Sequence, residues 1–460
     1  MSPKQGVDRR KFLVAGAGCA AAAGIGYLTK DLWYPLTQKT TAPEAASPTQ
    51  TQTPTNSPPY ANFELVRPKY ILPCVGQEVQ FENLSKDPDG DPLTHEWYVD
   101  DKLVGKSKDF AFRFTETGDP RVKLQVSDGK LKDEKEYSFL HVEPDQLYPA
   151  KPLNLKCKGT SYYVGPAGPE WSNPVPNEEE MNEQLDTIRD DLGCNAVIIT
   201  GGESFEDRII ECGKLAIEKG FERIYVQPRY VNATVDKTVE KIGEFARRVR
   251  ELRENSNAVG YCVGHEFQLE TAIIRGHNFL ERFQNSNRGI DLEKVKAVLP
   301  AMFRRIIAVC DKNYGYGITY AATPWEANES LVPWSDPAFE SIGVNAYIHD
   351  FLGWDEAWFL GLFSRLSVNM KPIHSFDWGM MSFAGADKFG GWNPLNIGQN
   401  PYDEEPQARY CERTMKMLNS ARIDGSFWVM YNDTFDRGHG LYNPQTKKRK
   451  KGFYMYKSYQ

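Results

Sequence analysis

Two acidic residues stand at the ends of apolar runs. Glu266 closes NAVGYCVGHE (257–266), and Asp377 lies late in KPIHSFDWG (371–379). An ionised carboxylate is costly to bury alone, so one at such a place has either a chemical use or a fixed partner. Two carboxylates drawn from separate elements can share an acid–base reaction. One with a raised pKa delivers a proton, and the other, ionised, stabilises or attacks a developing positive centre. The apolar run before Glu266 favours a raised pKa there. The structural alternative is that each acid bonds to backbone or to an arginine. Glu203 and Glu326 are further acids of the same kind, read as solvated. His265, His349 and His374 have irregular spacing, and none of the eight cysteines forms a CxxC pair, so no metal and no cofactor is expected.

The elements that must carry these residues alternate in pattern. Strand-like runs occur at 153–159, 195–200, 221–228, 257–266, 317–323, 339–347, 371–379 and 425–433, mostly separated by amphipathic helical stretches. Such alternation predicts parallel strands, and eight units in about 300 residues predict a (β/α)8 barrel over 150–460. Chemistry in that fold collects at the C-terminal ends of the strands. Those ends carry Tyr162, Tyr163, Glu203, Arg229, His265, Glu266, Trp325, Glu326, Tyr347, Asp377, Trp378, Asn432 and Asp433.

On YCVGHE, VNAY, PIHSFDWG and SFWVMYN, the barrel resembles the large clan of retaining (β/α)8 glycoside hydrolases. The resemblance spans roughly 152–445. It implies an O-glycosyl hydrolase or transglycosidase acting on a poly- or oligosaccharide, with Glu266 after strand four as acid/base and Asp377 after strand seven in the nucleophile position. It further implies that Tyr347 touches Asp377 and that Trp428 lies under a sugar. His265 stands where the clan has an Asn that contacts the substrate, and Trp378 and Trp325 are further candidates for substrate contact. The Asp in place of the clan's Glu is one methylene shorter. Carboxylates about 5–5.5 Å apart permit covalent attack, and roughly 6.5–9.5 Å admits a water, so retention and inversion both stay open. The competing expectation is a non-catalytic, surface-exposed barrel that binds glycan or serves a structural role. A third is a barrel hydrolase using Glu203 or Asp433.

Residues 60–146 read differently, as short alternating runs punctuated by Gly, Pro and Asp, which predicts a β-sandwich. DPDGDPLTHEWYVD (87–100) and GDPRVKLQVSDG (118–129) resemble a PKD-type immunoglobulin-like domain, which places Trp97 in its core. The acids 87, 89 and 91 are read as a solvated turn.

Before it, DRRKFLVAGAGCAAAAGIGYL, within an export signal or membrane anchor over 1–30, resembles a twin-arginine signal. A Thr/Pro/Ser-rich linker at 31–59 follows. These features place the chain outside the cytoplasm, held at the membrane. Net charge is −7, and the one basic cluster, KKRKK at 447–451, is read as a solvated loop. Nucleic acid is therefore not an expected partner; a carbohydrate and the membrane are. Oligomeric state has no signal in the sequence.

Overall fold

The computed structural model describes residues 56–460 except 138–139, 170, 389–399, 422 and 434–437. The export signal, nearly all of the linker and residues 389–399 of the loop after strand seven lie outside the described residues. Residues 56–460 form one compact unit.

Seven short strands come first: β1 Phe63–Arg67, β2 Glu78–Asn83, β3 Thr94–Val99, β4 Lys102–Gly105, β5 Phe110–Arg113, β6 Val122–Ser127 and β7 Lys132–Tyr137. They make two antiparallel sheets, ordered β1-β2-β5 and β4-β3-β6-β7. Alternation puts Val122, Leu124 and Val126 inward. Trp97 is fully buried, 5.0 Å from the Phe63 ring and 5.1 Å from Phe110. This is the immunoglobulin-like sandwich that the sequence predicts. Asp87 accepts from the backbone N–H groups of Asp89 (2.8 Å) and Asp91 (3.1 Å), a turn closed by its own side chain.

Eight parallel strands then close a barrel: β8 Cys157–Tyr163, β9 Ala196–Gly202, β10 Arg223–Arg229, β11 Val259–His265, β12 Ile318–Ala322, β13 Ile342–Val344, β14 Ile373–Trp378 and β15 Gly425–Trp428. Helices such as 206–218, 235–255, 292–313 and 405–420 cover it. The first strand starts four residues later than its apolar run suggests, because Gly159 lies within the strand instead of ending it. A Cβ there would meet the Phe427 ring at 2.5 Å and the Ala196 carbonyl at 2.7 Å, so glycine is required by close packing across the barrel. Ala196, Ile198, Tyr225, Cys262, Ala321, Phe376 and Phe427 fill the interior.

Two β-bulges decide what faces the mouth. Between Cys262 and His265, β11 advances three residues while β12 advances two, from Thr319 to Ala321. Between Ser375 and Trp378, β14 makes the same slip against Ser426 and Trp428 of β15. One extra residue reverses the in–out alternation. His265 therefore turns inward although Val263 faces the helices, and Asp377 turns inward beside the already inward Phe376.

The KKRKK cluster is not a solvated loop. Arg449 and Lys450 are buried, and their charges are met by Glu143 and Asp191, and by Asp433, respectively.

Candidate active site

The two bulged strands bring His265 and Asp377 together at the C-terminal mouth. His265 Nε2 lies 2.8 Å from Asp377 Oδ2, and Asp377 Oδ1 accepts from the Ser161 hydroxyl at 3.1 Å. Asp377 is 5% exposed. On its far side, His265 Nδ1 meets Glu270 Oε1 at 2.8 Å. Glu270 is also gripped by Arg229, whose Nε donates at 2.8 Å while Nη1 donates to the Tyr163 hydroxyl at 2.9 Å. Arg229 in turn lies over the partly exposed Trp171 ring, 5.5 Å from its centre. The result is a buried chain of alternating charge: Arg229, Glu270, His265, Asp377.

Glu266 follows directly. Its backbone is left-handed, with φ +40° and ψ +53°, a conformation uncommon outside glycine. That turn aims its carboxylate at Asn345 at the end of β13, whose Nδ2 donates to Oε1 at 2.9 Å and lies 3.0 Å from His265 Nε2. Glu266 and Asp377 thus stand at the same mouth, with Asn345 bonded to the first, His265 bonded to the second, and these two side chains adjacent. Glu266 retains some solvent exposure. Burial raises its pKa, and the charges of Glu270 and Asp377 raise it further, against the pull of His265 and Asn345.

For His265, burial and then Arg229 oppose protonation, but Glu266, Glu270 and Asp377 outweigh them and raise its pKa to about 10. Its folded pKa exceeds the ordinary 6.5, so this charge stabilises the fold fully below pH 6.5 and ceases to do so as pH rises through about 10. The urea midpoint of the protein is therefore expected to fall between pH 7 and 10. Substituting His265 by Gln should flatten that fall, and an equally steep fall in the variant would refute the assignment.

Such an arrangement offers a partly exposed carboxyl group of raised pKa and a buried carboxylate fed by two donors, both at one barrel mouth.

The chain is similar in fold to solved glycoside hydrolases. A GH113 β-1,4-mannanase matches at 14% identity, covering 65% of this chain and 99% of that one, with a TM-score of 0.42. A broad-specificity GH5-4 endoglucanase from Clostridium acetobutylicum matches at 12% identity, covering 65% of this chain and 96% of that one, with a TM-score of 0.41. The PKD1 domain of Vibrio anguillarum Epp matches at 26% identity, covering 20% of this chain and 99% of that one, with a TM-score of 0.16. At these values the likeness is one of fold. No family model matches the chain, and no curated protein matches it.

The structure brings His265, Glu266 and Asp377 together. Tyr347 is partly exposed and feels the charges of both Asp377 and Glu266, which add to the effect of burial in raising its pKa; the partners of Asp377, however, are Ser161 and His265. Trp325, also partly exposed, sits in the short helix 324–328 after β12.

Two aromatic expectations fail. Trp378 is fully buried, donates to the Ser426 hydroxyl at 2.9 Å and packs 4.8 Å from Trp428, because the β14 bulge turns it outward. Trp428 is equally buried. Phe427 fills the barrel interior, so strand alternation sends Trp428 to the helix layer, where its indole N–H donates to the His439 carbonyl at 2.7 Å. Neither tryptophan offers a face to a sugar.

Of the other acids, Glu203 is exposed and paired with Lys237 and Lys241. Asp433 is fully buried against Lys450. Glu326 is not solvated as expected. It is fully buried, and burial raises its pKa to about 7.

Sequence reasoning missed Glu270, Asn345 and Ser161. Asn345 lies two residues before Tyr347 in VNAY, close enough for the same strand-end argument to have reached it. Glu270 lies four residues past Glu266 in a run read only as helical, and Ser161 is a small residue inside a strand.

Proposed function

We propose that this chain is an O-glycosyl hydrolase or transglycosidase acting on a poly- or oligosaccharide. The observation that carries this reading is the convergence of Glu266 and Asp377, from the ends of β11 and β14, at one barrel mouth, with Asn345 and His265 side by side between them.

Glu266 is assigned as the acid that protonates the leaving oxygen. Burial shifts its pKa in the direction that favours the protonated form, and its partial exposure lets it reach substrate. Asp377 is assigned to the positive charge that develops on the sugar ring, as nucleophile or as base toward water. Each of its oxygens has one hydrogen-bond donor, which leaves a lone pair on each for the reaction. His265 and Ser161 hold it in place. Tyr347 and Trp325 are assigned to substrate contact. Export, with retention at the membrane on a polar spacer, is part of the same proposal and is supported by the sequence of residues 1–59.

A second reading has its own support. Asp377 is almost fully enclosed and ion-paired, as a structural carboxylate would be. On that reading the barrel binds glycan without cleaving it.

Incubation of the full chain with soluble β-glucans, mannans, xylans and aryl glycosides separates the two. Turnover is expected, and Glu266→Gln is expected to lower kcat on sugar leaving groups by about 10²- to 10⁴-fold, the contribution of a general acid. Product anomers read early by NMR assign retention or inversion. Glycan binding without release of reducing ends, or full activity in Glu266→Gln, would sink the hydrolase reading.

A further inference from the structure

We infer that Glu326 and Tyr320 form a buried clamp that holds the Glu266 turn in its left-handed conformation, making both positioning residues for the acid. The inference rests on the assignment of Glu266 above and extends it to a part of the barrel that takes no part in the chemistry.

The turn needs such support. A left-handed glutamate is strained, and the backbone N–H groups that follow it enter a helix of only four residues, 267–270. Such groups have no helical partner of their own. They are met instead from β12 and the segment after it. Glu266 N–H donates to the Ala321 carbonyl at 2.9 Å. Phe267 N–H donates to the Tyr320 hydroxyl at 2.5 Å, and Gln268 N–H to Glu326 Oε1 at 3.1 Å. The Tyr320 hydroxyl in turn lies 3.0 Å from both Glu326 oxygens. The Gln268 side chain donates to Thr323 Oγ1 at 3.2 Å.

Glu326 itself cannot swing away. It is the third residue of a reciprocal capping box with Thr323: its carboxylate accepts from Thr323 N–H at 2.8 Å, and its own N–H donates to Thr323 Oγ1 at 3.0 Å. Capping that one turn needs a single carboxylate contact. The remaining acceptor capacity of Glu326 is directed at Tyr320 and Gln268. Tyr320 and Glu326 are both fully buried, so the clamp is shielded from competing water.

If the clamp positions a proton donor, its loss should be felt only where a proton is needed. A sugar leaving group must be protonated as the bond breaks, whereas a 2,4-dinitrophenolate leaves without help. Tyr320→Phe removes one oxygen and no ring volume, so the packing of the core around it is kept. We expect kcat/KM on the oligosaccharide that the parent cleaves to fall about tenfold or more in Tyr320→Phe and further in Glu326→Ala. On the matching 2,4-dinitrophenyl glycoside it should fall less than about threefold in Tyr320→Phe. Glu266→Gln should show the same asymmetry, only larger.

Equal losses on both substrates, or no loss on either, would overturn the clamp. If Glu266→Gln shows the asymmetry and Tyr320→Phe does not, the clamp alone is wrong. If Glu266→Gln shows none, or the parent cleaves nothing, the assignment of Glu266 falls and the clamp falls with it.

Discussion

Asp377→Asn is expected to lower turnover by on the order of 10³-fold or more, while leaving the site recognisably assembled. The amide has nearly the same shape as the carboxylate, so its oxygen can still accept from His265 Nε2 or from Ser161. Its charge is gone, and with it both chemical roles open to this position. An amide does not attack an anomeric carbon, does not take a proton from water and gives no electrostatic relief to an oxocarbenium-like centre. The same change acts on His265. Asp377 is one of three carboxylates that together raise the His265 pKa to about 10, so the variant should titrate at lower pH, which an NMR titration of the imidazole would read. A buried imidazolium that loses a carboxylate partner also costs stability, roughly 3–5 kcal/mol, read by urea unfolding at pH 7. The two effects separate the competing roles. A catalytic carboxylate gives both the kinetic loss and the stability loss. A purely structural one gives the stability loss with kcat intact, and that outcome would move the protein to the glycan-binding reading.

The barrel was legible because its signals are local. Short apolar strands separated by amphipathic helices need no knowledge of long-range contacts, and their order alone places Glu266 and Asp377 at strand ends. Side-chain direction was a different matter. Alternation predicts facing only when the register is unbroken, and the β14 bulge sets Asp377 inward and Trp378 outward although they are neighbours. Hence the acid of that pair reaches the site and the tryptophan does not. Trp428 failed for a simpler reason. With Phe427 filling the barrel, its neighbour had to face the helices, but the sequence does not say which of two adjacent aromatics faces inward. Glu326 and Glu270 stayed hidden because burial of a charged residue depends on partners elsewhere in the chain: Tyr320 and the Gln268 backbone for one, Arg229 and His265 for the other.

Arg449 is the extreme case, since its carboxylate partners lie 258 and 306 residues away, and its removal should produce the largest stability loss outside the site. Within a cluster that reads as surface charge, its side chain is 1% exposed. It donates from Nη1 to Glu143, after β7, at 2.8 Å and to the Leu72 carbonyl, between β1 and β2, at 2.6 Å. From Nε it donates to Asp191 of the barrel at 2.7 Å. Lys457 completes the seam, 2.8 Å from Asp191 and 2.7 Å from Asp145. Arg449→Met keeps much of the side-chain volume and removes the charge, which leaves Glu143 buried without its cation. Removing one partner of a buried pair costs about 3–5 kcal/mol. The pH dependence has a definite sign. Burial already raises the Glu143 pKa, and Arg449 is the largest force opposing that rise, so in Arg449→Met the pKa climbs further. Below that higher pKa Glu143 takes up a proton and its desolvation cost falls. The destabilisation should therefore be greatest near pH 8 and shrink toward pH 5. Urea unfolding of parent and variant across that range measures it. Adding Glu143→Gln to Arg449→Met should recover part of the loss at pH 8 and little at pH 5. A single variant whose deficit is constant with pH would mean that Arg449 acts through packing alone, and that the charges along this seam do not hold the sandwich to the barrel.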